Sequence, residues 1–137
     1  MRLLVVTLVA ALGLALTGGP VLAQGAVDKV KEANIRAAKD YLKHGLMLAD
    51  EGRDDKAAES FRKAVSLRPD WAEARSLLGS SLARAGKYAE AEEQLRKAVS
   101  LDPNYAEGWY FLGLFLKDRG KTAEAEECFR KAKQLAR

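Results

Sequence analysis

A spacing of 34 residues constrains this chain more than any single motif. Gly45, Gly79 and Gly113 stand 34 apart, as do Leu48, Leu82 and Leu116, and then Gly52, Gly86 and Gly120. The second half of the period repeats too, in Ala57, Ala91 and Ala125, in Phe61, Leu95 and Phe129, in Ala64, Ala98 and Ala132, and in Pro69 and Pro103. A fixed period of this length marks an array of supersecondary units. Each unit is too small to bury its own apolar face, and stacking makes one continuous core. Within each period the apolar residues fall three and four apart, which reads as two amphipathic helices per unit and no strand. The expectation is an all-α chain with units at 38–71, 72–105 and 106–137.

Local chemistry refines that expectation. Gly52, Gly86 and Gly120 fall where the first helix of each pair must stop, and glycine accepts the positive φ of a helix C-terminus. Gly45, Gly79 and Gly113 fall inside helices, where glycine costs about 1 kcal/mol relative to alanine. Their recurrence points to close packing, against the small column Ala57, Ala91 and Ala125. Asp70 with Glu73, and Asn104 with Glu107, have capping-box spacing at the start of the second and third units. Val65, Val99 and Lys133 share one column, and its charged last member suits an end with no further unit. Val27, Val30, Ala33, Ala37 and Tyr41 keep helical spacing, so the first helix is expected to start near Val27, within an extension at 24–37.

These columns resemble the tetratricopeptide repeat family. Trp109, Leu112, Gly113, Leu116, Gly120, Ala125, Phe129 and Ala132 sit where that family places its signature residues. In the preceding unit Leu78, Gly79, Leu82, Gly86, Tyr88, Ala91, Leu95, Ala98 and Pro103 do the same. The first unit departs at His44, where leucine is usual. The resemblance implies a right-handed α-solenoid of three helix-turn-helix repeats that binds a peptide or protein segment on the concave face lined by the first helices. Carried over position by position, it assigns partner contact to Lys39, Leu42 and Leu46, to Ser76, Ser80 and Arg84, and to Tyr110, Leu114 and Lys117. Leu42, Leu46, Tyr110 and Leu114 would be the apolar anchors, with Lys39, Arg84 and Lys117 on the polar margins. A long first helix folded over this face, or a dimer, would close it instead. Some members of the family grip a chaperone's C-terminal carboxylate with Lys, Arg and Asn here. Leu42 and Leu46 replace the lysine and asparagine of the first unit, and Leu77, Glu107 and Phe111 occupy the later columns, so that clamp is absent.

The first 23 residues read differently. Met1 and Arg2 supply positive charge, Leu3 to Leu16 carry none, and Thr17, Gly18, Gly19 and Pro20 break the run before Val21-Leu22-Ala23. This is the anatomy of a secretory signal peptide cut after Ala23. It predicts an extracytoplasmic protein, in the bacterial periplasm or secreted, and by analogy an envelope scaffold or assembly factor. The alternative is a membrane-anchored, self-associating structural subunit, because Leu3 to Ala23 is about long enough to span a bilayer if it is retained.

Composition excludes other classes. One cysteine and one histidine allow neither an internal disulfide nor a site built from several such ligands, so no metal and no cofactor is expected. The 23 basic and 19 acidic residues interleave without a basic stripe, which argues against nucleic acid as a partner. His44, the sole imidazole, shares a column with Leu78 and Leu112 and reads as packed or half-packed. Glu92-Glu93 and Glu126-Glu127 recur with the period as solvated faces. No enzymatic constellation results. Cys128 shares a polar column with Ser60 and Gln94, which predicts partial exposure of its thiol. The expected partner is a protein or peptide, the membrane only if the first segment stays attached, and homo-oligomerisation stays open.

Overall fold

The structure, a computed structural model, describes residues 19–137. The described residues form six helices: α1 (Gly19–Asp50), α2 (Asp54–Leu67), α3 (Ala72–Arg84), α4 (Tyr88–Leu101), α5 (Ala106–Asp118) and α6 (Thr122–Leu135). By internal contacts the chain divides into a segment ending at Asn34 and a body spanning Ile35–Arg137.

The described part of the first segment is helical from Gly19, earlier than the expected start near Val27. Pro20 falls in the first described turn, and only Gly25 opposes helix thereafter. Val27 and Val30 keep helical spacing but are 58% and 60% exposed. The expected export segment lies, through residue 18, outside the described residues.

In the body, each first helix ends on a glycine with φ of 73°, 81° or 78°, at Gly52, Gly86 and Gly120. At the first of these, Gly52 N–H bonds to Ala49 C=O at 3.0 Å and Arg53 N–H to Leu48 C=O at 2.9 Å. This paired arrangement satisfies carbonyls that the helix leaves free, and it recurs at Gly86 and Gly120. The entries to α3 and α5 differ from expectation. Their N-caps are Trp71 and Tyr105, with no side-chain cap, so Asp70 and Asn104 lie one residue too early for a capping box. A different clasp recurs instead: Arg75 Nε donates to Pro69 C=O and Trp109 Nε1 to Pro103 C=O, each at 2.8 Å.

Within each hairpin the helices meet at the interior glycines. A methyl on Gly45, Gly79 or Gly113 would sit 2.6–2.7 Å from Phe61, Leu95 or Phe129. The close packing is as expected, with that larger column as the nearest partner; at Gly79 the Ala91 carbonyl of the alanine column is also close, at 3.1 Å. Between hairpins, α3 packs on α2 and α5 packs on both α3 and α4. Gly108 lies at the second contact, where a Cβ would be in ordinary contact with Ser76 Oγ at 3.4 Å and Val99 Cγ1 at 3.5 Å, and tight only against Tyr105 Cδ1 at 2.9 Å. Phe61, Leu78, Leu82, Leu95 and Leu116 are all buried in the resulting core.

Ion pairs repeat with the same period across the second helices. Arg62 bonds Glu90, and Arg96 Nη1 reaches Glu124 Oε1 at 2.7 Å. Arg96 also holds Glu92 in its own helix at 2.8 Å, and Lys121 joins Glu92 from the next unit at 3.2 Å. The hydrogen bonds from Arg96 pull the Glu92 and Glu124 carboxyls below their ordinary range, with Lys121 adding to both.

Two sequence expectations are corrected here. His44 is exposed, whereas Leu78 and Leu112 in its column are 1% and 2% exposed. In the second and third units that column faces the preceding hairpin, which is what buries the two leucines. Cys128 is buried, at 4% exposure, because its column faces the same junction. Burial pushes its thiol pKa up, with Glu124 adding to the effect.

Candidate peptide-binding face

α1, α3 and α5 supply the positions that family resemblance assigned to a partner, and the structure separates those positions into three kinds. Leu46 and Leu114 occupy one column and are each 38% exposed, with half-buried Ser80 between them in sequence register. Lys39 and Lys117 are exposed, and neither forms an ion pair among the described residues. These five residues are open to a ligand.

Three others are partly committed. Leu42 is half-buried against the core. Arg84 donates from Nε to Asp54 Oδ1 at 2.7 Å, so its charge is already met within the chain. Tyr110 is 49% exposed, but its ring lies 5.8 Å from that of Phe129 at 54°, a tilted pairing worth about 1 kcal/mol beyond burial.

Ser76 is a correction. Its side chain is fully buried, because Gly108 brings α5 down on it, and it offers nothing to a partner. The column that contains Leu42, Ser76 and Tyr110 faces the following unit. Within that column Tyr110 is 49% exposed, whereas Ser76 lies under α5.

Charge on the face is mixed. Lys39 and Lys117 are set among Asp50, Glu107 and Asp118, all exposed. At one edge the Tyr105 phenol, half-buried and near Glu73 and Glu107, has its pKa pushed up to about 12, mainly by burial. Sequence reasoning missed Met47, which is 55% exposed although Ser81 and Phe115 in its column are at 1% and 5%. Column membership alone could not have found it, since the other two members of its column are buried. Among the described residues no cluster of His, Cys, Asp or Glu is arranged to hold a metal ion. Nor is any described helix long and apolar enough to cross a membrane.

Comparison with known proteins follows the same geometry. Tetratricopeptide repeat profiles match residues 38–70 and 76–137, together more than half of the chain. A comparison with curated proteins gave no match. Among solved structures, the second tetratricopeptide domain of Spaghetti (RPAP3), bound to the HSP90 peptide SRMEEVD, is 21% identical with a TM-score of 0.71. That alignment covers 78% of this chain and 98% of the other. MamA is 31% identical with a TM-score of 0.66, over 79% of this chain and 63% of that one. The TPR2B domain of yeast Sti1, in a complex with pHsp70, is 19% identical with a TM-score of 0.69, over 73% and 80%. The chain belongs to the tetratricopeptide repeat family.

Proposed function

We propose that this protein is an exported interaction module that holds a peptide or protein segment on the concave face formed by α1, α3 and α5, and serves as an envelope scaffold or assembly factor. The observation that carries the reading is the pair Leu46 and Leu114. Both are large, apolar and 38% exposed in one column, on the first helices of the first and third units, while the hairpin cores are filled by other residues. Accessible apolar groups in register are the usual anchors of a contact site. Structural neighbours with this fold hold peptides, including the HSP90 peptide on Spaghetti. The partner differs in kind from that acidic peptide, because leucines stand in three of the clamp columns. Proteins of this family are typically binding modules without catalysis, and no residue constellation here argues otherwise.

Leu46→Ala combined with Leu114→Ala should weaken capture of the native envelope partner well over tenfold, as expected for central apolar anchors. Helical content should stay unchanged. A folded double variant that binds normally would move the site to another face. Export is tested separately, by mass spectrometry of the native protein, which should begin at Gln24. Recovery with Met1 or Arg2 still attached would establish the membrane-anchored structural subunit instead.

A further inference from the structure

A second surface stands open at the other side of the first unit. In the second and third units, the α-helical stripe Ala74, Leu78, Ser81 and its counterpart Gly108, Leu112, Phe115 face the preceding unit; the members with recorded exposures are at most 5% exposed. In the first unit the same stripe is Asp40, His44 and Met47, all exposed, with Met47 at 55%. Beside it lies a hollow of about 380 Å³ between α1 and α2, walled by Tyr41 and His44 and rimmed by Lys56 and Lys63. The two internal junctions show what such a face receives: a helix that lays a valine, Val65 or Val99, beside the stripe. That helix also reaches a Glu of the next unit with an arginine, in the pairs Arg62 with Glu90 and Arg96 with Glu124.

The sign of that last contact is reversed in the first unit. Lys56 stands in the column of Glu90 and Glu124. Neither Lys56 nor Lys63 forms an ion pair among the described residues; Lys63 lies 5.5 Å from the Tyr41 ring centroid. Arg53 is tied to Glu51 at 3.0 Å. Asp40 and Glu59 are the acids of the face, both exposed. A helix like those inside the stack would bring an arginine against Lys56. The chain's own last helix carries Arg130 in that column and Lys133 in the valine column, so a second copy stacked in register meets like charge.

We infer that the open face of the first unit, built on Tyr41, His44, Met47 and Lys56, docks an amphipathic helix of another protein that carries a carboxylate where the internal helices carry arginine. Charge complementarity at Lys56 and continuity with the two internal junctions identify the occupant. A methionine and an aromatic ring give it an adaptable apolar seat. This surface is distinct from the Leu46 and Leu114 column.

The probe is a capped peptide copying Tyr88–Leu101 with Arg96 replaced by Glu, held helical by a lactam on its outer face and titrated into the labelled full chain by NMR. Shifts should cluster in residues 40–63, and the natural Arg96 peptide should bind about tenfold more weakly. Lys56→Glu, which keeps the fold, should invert that preference. Equal affinity for the two peptides, or no binding of either, would overturn the inference. So would shifts centred on Leu46 and Leu114, or concentration-dependent shifts of the unmodified chain in residues 40–63 that mark self-association.

Discussion

The middle and last units carry the same hairpin in different surroundings. Leu95, Ala98 and Val99 are 0%, 0% and 7% exposed, and Ser76 is fully buried. Their counterparts Phe129, Ala132, Lys133 and Tyr110 border a hollow of about 450 Å³ at the end of the stack. The same helical hairpin therefore yields a sealed core in one unit and a half-open one in the other. In a stacked array, burial belongs to the junction and not to the unit. Tyr110, leaning on Phe129, does part of the covering that α5 does for Ser76 and Leu95.

Truncating the equivalent core residues should separate the two units most widely. Leu95→Ala should cost about 3 kcal/mol, since a fully buried leucine leaves a cavity between packed neighbours. Phe129→Ala removes more atoms from a less enclosed place and should cost less. Urea unfolding followed by circular dichroism measures both. A larger loss for Phe129→Ala would mean that the last unit is as sealed as the middle one.

A subtler probe adds one methyl. Gly79→Ala would press on Leu95 at 2.6 Å and on the Ala91 backbone carbonyl at 3.1 Å, neither free to retreat. It should cost about 1–3 kcal/mol by overpacking. Gly113→Ala meets the Phe129 ring first, at 2.7 Å, and that ring borders open space and can swing away. There the gain in helix propensity, up to about 1 kcal/mol, should offset most of the strain. Matching losses of thermal stability at the two glycines would erase the distinction.

The smallest effect lies in the ion pairs that join the two units. Glu92 and Glu124 have lowered pKa values in the folded chain, Arg96 being the first cause. Depressed carboxyl pKa values stabilise the fold above the unfolded range and lose that contribution as pH falls below about 4.5, the ordinary value. Both groups are well solvated, so Arg96→Gln should remove only about 0.2–1 kcal/mol at neutral pH. The difference from the unmodified chain should shrink on acidification below pH about 4, and in high salt. A difference that grows in acid would reverse the assignment.

Much of this was legible in the sequence, for a physical reason. A residue's contacts inside its own hairpin depend on period and size, and Gly79 opposite a bulky column, or Gly86 ending a helix, can be read from spacing alone. Residues that face across a junction escaped the same reading. His44 and Leu112 share a column and differ in burial because Leu112 packs against the second unit while His44 is exposed. Ser76 and Cys128 are polar yet buried, since small side chains are what a close junction accepts. The open column of Leu46 and Leu114 was anticipated by resemblance, while Ser76 was misplaced because its column turns toward the next unit.

The clasp that begins each later hairpin bears on how such a chain can change its length. Arg75 and Trp109 each reach back six positions to a proline carbonyl, and Arg62 and Arg96 each reach forward 28 to a glutamate. In-frame loss of residues 72–105 would leave Trp109 six positions after Pro69 and Glu124 28 positions after Arg62, with both bonds still available to form. The joint is indifferent to which copies it joins. Duplication or deletion of a whole period is thus a change the protein's punctuation accepts, whereas one residue added inside a six-residue span would break the clasp it holds.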